Sequence, residues 1–277
     1  MRKVKLFRLF HTCLTRSWTS IACMLAAGVC LTAWASGIHD EATPSSITEY
    51  PDESALLPGL MVYQRNCVMC HGKSGDGRGE MGLTVQPRPR DFRKGIFKFR
   101  STPDGFLPRT EDLKRTVRHG LSGTAMPTFE KLPERDVQSV IEYIKTFSPR
   151  WRKPENFSAP IDIPRPPGWF VDAAQLKARI DKGKVLFATA CASCHGERGD
   201  GKGAAAAQLE DSSGQPCTPS DLRQWALRCG PEKADLYRVL TTGLSGTPMP
   251  SFAEAFTPEQ RWEIVAYVKS LQVVDAR

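Results

Sequence analysis

The chain lacks the residue patterns on which many hydrolytic and nucleic-acid-binding proteins depend. It contains no paired acidic motif, no Ser-His-Asp arrangement and no cluster of histidines, which number only 5 among 277 residues. It also lacks a basic tract. Although the formal net charge is +8, residues 1–35 hold 5 of the 38 basic residues and no acid, which leaves 33 basic and 30 acidic residues elsewhere. These absences leave no support for a hydrolase site or for a DNA or RNA partner.

The N-terminus predicts export from the cytoplasm. A basic start is followed by an apolar run at 21–33 and by Ala33-Trp34-Ala35, which together indicate a signal peptide with an A-x-A cleavage site. The stretch 18–35 is close to the ~20 residues that span a bilayer, so an uncleaved N-terminal anchor is the alternative. Either way we expect the rest of the chain, after a flexible lead at 36–53, in the periplasm, free or anchored to the inner membrane.

Two C-x-x-C-H motifs stand out, at Cys67 to His71 and at Cys191 to His195. Positions i, i+3 and i+4 share one face of a helix, so the two thiols can bond to the vinyl groups of one haem while the imidazole lies under the iron. This pattern is typical of c-type haem attachment. A redox dithiol needs no following histidine, and a zinc site would need both motifs, 124 residues apart (191 minus 67), on one ion. We therefore predict two haems.

The motifs belong to a tandem repeat. The segments Leu121 to Phe129 and Leu244 to Phe252 are identical at seven of nine positions, and the offset from Met126 to Met249 is 123 residues. With a length sufficient for two domains, 40% hydrophobic and 25% charged residues, the chain is predicted to form two soluble domains. The proline-rich segment between them predicts a semi-rigid spacer.

The repeats are predicted to be helical, with two helices in close approach. Gly59 and Gly183 lie in the helix that precedes each motif. Because a glycine in mid-helix costs about 1 kcal/mol, its repetition indicates that another helix approaches closely there. Amphipathic final helices place Tyr143 and Tyr267 to meet these glycines.

Met126 and Met249 are the candidates for the second axial ligand of each iron. No methionine follows Met126 except Met249, and only this pair is repeated. In the first repeat Met61, Met69 and Met81 compete. Two alternatives remain: the Met-Pro loops only pack at the haem edge, or a histidine is the ligand. The histidine would be His119, whose counterpart in the second repeat is Thr242.

Further residues are candidates for the surroundings of the haems. Pro89 and Pro219 are candidates to present the backbone carbonyl that a metal-bound histidine needs for its other ring N–H, although an ordinary proline turn fits equally well. Five more are predicted around the pockets: Phe97, Phe99 and Trp225 as aromatic walls, and Arg100 and Arg228 as partners of the haem propionates. Ordinary exposed arginines are the alternative for the last two.

Cys217 and Cys229 are left over once the export segment and the two motifs are set aside. In a compartment that permits disulfides, a leftover pair usually bonds, so we predict a bridge between them. Two free buried thiols are the alternative.

With these features in both halves, the sequence resembles the class I c-type cytochrome family, over about 54–150 and again over 169–277. It is similar to a dihaem cytochrome c of the bacterial periplasm. The resemblance implies an all-α fold of two tandem cytochrome c domains, joined by a linker at 151–168, with two covalently bound haem c groups. It also implies the site residues: attachment at Cys67, Cys70, Cys191 and Cys194, and iron ligands His71, Met126, His195 and Met249.

The second half departs from the first in two ways. It has the extra cysteine pair, and His195 is 24 positions from Pro219 whereas His71 is 18 positions from Pro89. The surroundings of the second haem, and with them its potential, are therefore expected to differ from those of the first.

The resemblance and the methionine pair together predict an electron carrier rather than an enzyme. Two irons that each hold a histidine and a methionine keep no open position for a substrate. The alternative is a dihaem enzyme, a peroxidase or a sulfur-compound dehydrogenase, in which one axial ligand is labile. A third interpretation is a subunit that only docks an enzyme. The expected partners are a redox protein donor and acceptor, including a membrane-bound respiratory complex.

Overall fold

The computed structural model describes residues 47–272 of the chain. The predicted export segment, residues 1–35, and most of the lead that follows it lie outside this range. Within 47–272, no helix combines the length and the apolar character needed to cross a membrane.

The described chain consists of two successive sets of four α-helices, which confirms the all-α prediction. The first set is α1 (Leu56–Asn66), α2 (Val68–His71), α3 (Thr110–His119) and α4 (Glu134–Lys145). The second set is α5 (Ala173–Ala190), α6 (Ala192–His195), α7 (Lys233–Thr242) and α8 (Pro258–Leu271). Residues 47–272 contain no β-strand, only an isolated bridge between Glu210 and Pro216.

Local signals explain where several helices begin and end. Asp172 accepts two backbone N–H bonds at the start of α5, each 3.0 Å long, and Thr257 caps α8. Helices α3 and α7 stop at Gly120 and Gly243, whose φ angles are 63° and 66°.

The first and last helices of each domain cross at a glycine. A Cβ atom on Gly59 of α1 would lie 2.8 Å from the Tyr143 Cβ of α4, and one on Gly183 of α5 would lie 3.1 Å from the Tyr267 Cβ of α8. Both added atoms would also overlap a backbone carbonyl of the crossing helix. The predicted close approach is therefore confirmed in both repeats, and it brings the two ends of each domain together.

Each half of the chain has its own hydrophobic core. Tyr63, Ile141 and Trp151 are at most 1% exposed in the first, and Phe187 and Trp262 are 2% exposed in the second. Two separate cores are what two domains require.

The proline-rich segment does not hold the domains apart, which corrects the spacer prediction. Trp151 is fully buried and Phe157 is 7% exposed, both in the core of the first domain. The backbone N–H of Ile161 donates to the Ser101 carbonyl at 2.7 Å. The aromatic residues between the prolines bury apolar surface, and that burial binds the segment to the first domain. The domains then meet directly, for example where Lys94 Nζ donates to Ser213 Oγ at 2.7 Å.

Candidate haem sites

Each C-x-x-C-H motif folds into a single helical turn immediately after a long helix. In the first domain the N–H of Cys70 and the N–H of His71 both donate to the Cys67 carbonyl, at 3.2 and 2.9 Å. Cys194 and His195 repeat these bonds to the Cys191 carbonyl with the same lengths. The repeated turn places two thiols and one imidazole side by side in each domain.

Both motifs line one continuous cavity of about 360 Å³ that extends from the first domain into the second. The eight residues predicted from the sequence all lie on its wall: Cys67, Cys70, His71, Met126, Cys191, Cys194, His195 and Met249. The structure thus brings together, across the domain boundary, residues separated by up to 182 positions in the chain (249 minus 67).

A backbone carbonyl orients each imidazole. His71 Nδ1 lies 3.2 Å from the Arg90 carbonyl oxygen, and His195 Nδ1 lies 3.3 Å from the Ser220 carbonyl oxygen. Because a carbonyl only accepts, Nδ1 carries the hydrogen and Nε2 remains free to bind a metal. Burial lowers the pKa of His71 to about 4 and lowers the pKa of His195, so both rings are neutral, as metal ligation requires.

The carbonyl acceptors differ by one residue from those predicted. Pro89 and Pro219 were the candidates, but their carbonyls instead face Gly77 and Gly201, which lie in glycine-rich turns at 75–79 and 199–203. These turns approach so closely that a Cβ atom on Gly201 would lie 2.7 Å from the Pro219 oxygen. The following residue in each loop presents its carbonyl to the histidine.

The methionines divide clearly between cavity and surface. Met126 and Met249 line the cavity, at the ends of loops closed by bonds from Leu121 N–H to the Met126 carbonyl and from Leu244 N–H to the Met249 carbonyl, each 3.1 Å. The competing methionines are about half exposed: Met61, Met69 and Met81. The rival histidine, His119, has a side chain 67% exposed and lies 3.6 Å from the Glu130 carboxylate.

The predicted aromatic walls are present with one exception. Phe97 and Phe99 line the cavity, and so does Phe92, which stacks on the His71 ring with centroids 4.4 Å apart. Trp225, in contrast, is 55% exposed, and Lys269 Nζ lies 5.0 Å from the centroid of its ring. That exposed contact with a cation corrects the prediction that Trp225 walls a haem pocket.

Four cations line the same cavity without a carboxylate partner; one of them, Arg88, is exposed, and the other three are partly buried. Among the described residues, neither Arg90, Lys98 nor Arg228 forms an ion pair within 4.0 Å, although each lies on the cavity wall. Burial lowers the pKa of Lys98, and the positive charge of Arg90 lowers it further. Unpaired charge in a largely apolar cavity is costly unless an anion enters it. The sequence indicated Arg228 but missed Arg90 and Lys98, and the position of Arg90 next to Pro89 was the available signal.

The donor set fits haem c. Paired thiols match two vinyl groups, imidazole and thioether match the two axial positions of an iron, and the unpaired cations match the propionates. Arg100, the other arginine predicted to meet propionates, does not line this cavity and is buried elsewhere, with its guanidinium bonded to the Thr242 carbonyl.

Cys217 and Cys229 are free thiols, which corrects the predicted disulfide. Cys217 lies on the wall of the shared cavity, together with Arg90 and Lys98 of the first domain. Cys229 lies just before α7, with its Sγ atom 3.7 Å from the Gly230 carbonyl oxygen. Burial raises the pKa of the Cys229 thiol to about 12. Cys229 nevertheless lies on the wall of the same cavity as Cys217.

Comparison with known proteins supports two cytochrome domains. The cytochrome c family model matches residues 180–272, and the model for subunit III of cbb3-type cytochrome c oxidase matches residues 54–144. The chain is 25% identical over 226 residues to the cbb3-type cytochrome c oxidase subunit FixP of Azorhizobium caulinodans, covering 78% of this chain and 60% of that protein. It is 29% identical over 223 residues to the subunit CcoP of Rubrivivax gelatinosus, covering 79% and 56%.

The chain therefore spans about 60% of the length of the curated relatives that it matches. Among solved structures, it is similar to a chain of the Kuenenia stuttgartiensis reducing HAO-like protein complex, with 34% identity and a TM-score of 0.72. That match covers 82% of this chain and 99% of the other. Two consecutive cytochrome c domains, each with its own attachment motif, imply two covalently bound haem c groups, and the chain belongs to the dihaem class I c-type cytochromes.

Proposed function

We propose that this protein carries single electrons between respiratory redox partners through two haem c groups, one ligated by His71 and Met126 and the other by His195 and Met249. The observation that carries the proposal is the pairing of residues on the cavity wall. Each domain contributes one imidazole and one methionine thioether to it, while the other methionines in the described chain and His119 remain at the surface.

The chain's own residues account for what a carrier needs. The bound haem supplies an iron that cycles between Fe(III) and Fe(II). The carbonyls of Arg90 and Ser220 fix the orientation of the two imidazoles, and thioether ligands raise the potential relative to harder donors. The aromatic walls exclude water from the site, and the unpaired cations of the cavity balance the propionates.

The ligand set also argues against the enzyme alternative. A peroxidase or a sulfur-compound dehydrogenase needs an iron position that is open or easily freed. Two histidine–methionine pairs leave no such position. We therefore assign the protein as an electron carrier or an electron-transfer subunit rather than as an enzyme.

The relatives suggest the kind of complex in which this protein transfers electrons. Two of them are subunits of cbb3-type cytochrome c oxidases, and the structural relative is a chain of a reducing HAO-like protein complex. Each of these is one component of a larger redox assembly. We accordingly propose that the protein is a cytochrome subunit of, or a carrier to, a respiratory complex, and the predicted export signal supports a periplasmic location for this role.

The experiment is to measure the near-infrared Met–Fe(III) charge-transfer band of the oxidised dihaem protein and its turnover with peroxide. The carrier assignment predicts band intensity for two haems and no turnover above that of free haem. Intensity for one haem together with peroxide turnover would replace the carrier with the enzyme.

A further inference from the structure

The boundary between the domains contains a buried arginine that belongs to neither haem pocket. Arg100 of the first domain is 1% exposed. Its Nη2 atom donates to the backbone carbonyl of Thr242 in the second domain at 2.6 Å and to Asp104 Oδ1 at 2.7 Å. The same carboxylate oxygen accepts a bond from Ser245 Oγ of the second domain at 2.6 Å. Arg100 and Asp104 thus bond to the second domain at two points, the Thr242 carbonyl and the Ser245 hydroxyl.

Both points belong to the segment that presents Met249. Thr242 is the last residue of α7, and Ser245 lies in the loop from Gly243 to Met249. The preceding carbonyls of α7 are bonded to the far side of that loop: Leu240 accepts from Phe252 N–H at 2.8 Å, and Thr241 accepts from Ser251 Oγ at 2.6 Å. The end of α7 and the methionine loop therefore form one hydrogen-bonded unit.

The backbone within this hydrogen-bonded unit is closely packed. Gly243 has a φ of 66°, and a Cβ atom there would lie 2.7 Å from the carbonyl carbon of Pro250 and 3.0 Å from the Met249 oxygen. A displacement of the Thr242 carbonyl is thus transmitted to Met249 through direct packing. The first domain holds the Thr242 carbonyl in place through its hydrogen bond from Arg100.

The first haem site has no equivalent clamp. The counterpart of Thr242 is His119, whose backbone carbonyl accepts no hydrogen bond from the second domain among the described residues. The counterpart of Ser245 is Ser122, which is exposed and makes no side-chain hydrogen bond among the described residues. The loop that contacts the other domain also differs in length between the two repeats. Arg100 is 12 positions before Asp112, whereas the matching Arg228 is 7 positions before Asp235, so the loop that carries Asp104 is five residues longer in the first domain.

We propose that Arg100 and Asp104 are positioning residues for the methionine ligand of the neighbouring domain, so that docking of the first domain sets the strength of Met249 ligation and the potential of the second haem. The inference rests on the proposed ligation of the second haem by His195 and Met249. It assigns the difference between the two haems to a contact that crosses the domain boundary.

The test uses the full dihaem protein with five variants. Asp104→Ala removes a side chain that is 63% exposed, so the fold is retained while the Ser245 contact is lost. Arg100→Lys keeps the buried charge but not the forked donors. Ser245→Ala removes one cross-domain bond, and Ser122→Ala is its matched control in the other repeat. Met249→Ala identifies which spectral component and which potential belong to the second haem.

Each variant is titrated redox-potentiometrically while the Met–Fe(III) band is recorded. Asp104→Ala and Arg100→Lys are expected to weaken the band of the second haem. They should also shift its reduced-to-oxidised equilibrium at least threefold toward the oxidised form, about 28 mV for one electron, because a loosened thioether stabilises Fe(II) less. The first haem and Ser122→Ala are expected to match the unsubstituted protein.

The outcomes separate the inference from the proposed function. If the second haem of the unsubstituted protein has no band that depends on Met249, the ligand assignment and the inference both fail. If that band is present but is unchanged in Asp104→Ala and in Arg100→Lys, or changes equally in Ser122→Ala, only the inference is overturned.

Discussion

Gly183 of α5 packs so tightly against the backbone of Glu263 in α8 that no room remains for a Cβ atom. Replacing glycine by alanine in the middle of an exposed helix normally stabilises it, by about 1 kcal/mol. At this crossing the sign is expected to reverse, because the added methyl group forces the two helices apart.

We therefore predict that Gly183→Ala lowers the free energy of unfolding of the second domain by about 1–3 kcal/mol. Lys184→Ala, at the adjacent exposed position of the same helix, should change it by less than about 0.5 kcal/mol. Denaturant titration of the dihaem protein measures both. A Gly183→Ala protein as stable as the original would show that the crossing is looser than the structure has it.

The repeat of this crossing explains why much of the fold was predictable. Gly59 and Gly183 recur at the same distance before the attachment motif, and a costly glycine that recurs in a helix indicates a packing constraint. The helix caps at Asp172 and Thr257 also follow a local sequence pattern, because each cap residue is followed by a glutamine three positions later. Local periodicity and tandem repetition are properties of the sequence itself.

What could not be predicted depends on contacts between distant segments. Trp151 and Phe157 lie among prolines that indicate a spacer, but their apolar area is buried on the first domain, which the proline pattern does not reveal. Likewise, nothing local distinguishes Lys98, which enters the shared cavity, from an exposed lysine. The predicted bond between Cys217 and Cys229 was wrong because only the folded chain determines whether two sulfur atoms lie close enough to bond.

Haem content provides a second prediction. The double substitution Cys191→Ser with Cys194→Ser removes both thiols of the second motif, so the intact mass should fall by one haem while the first haem stays attached. The matched control replaces Cys217 and Cys229 by serine and is expected to keep both haems. Mass spectrometry under denaturing conditions distinguishes these results. Loss of a haem from the control would mean that the attachment residues are wrongly assigned.

The free thiols lead to a third prediction. Because Cys217 and Cys229 are unpaired, alkylation of the denatured, unreduced protein should label both of these cysteines. In the native protein at pH 8, Cys229 should react slowly, since burial raises the pKa of its thiol to about 12 and the thiolate is the reactive form. If neither cysteine is labelled after denaturation, the two thiols form a disulfide and the prediction is wrong.

The unpaired cations of the cavity lead to a fourth prediction. Lys98→Met removes a positive charge near the haem sites, which should favour the oxidised and more positive iron and so lower the haem potentials by about 30 mV, a threefold change in the one-electron equilibrium. Lys98→Arg keeps the charge and should restore them. Lys184→Met, on an exposed helix face, is the control. Equal potentials in Lys98→Met and Lys184→Met would contradict a role for Lys98 beside the haems.

The central claim is that both irons are ligated by a histidine and a methionine. It is tested most directly by counting the carbon monoxide bound to the reduced protein and to the variants Met126→Ala and Met249→Ala. We expect no binding to the unsubstituted protein and one carbon monoxide for each single variant, with both haems still covalently attached. Carbon monoxide binding by the unsubstituted protein, or no gain in either variant, would contradict the account.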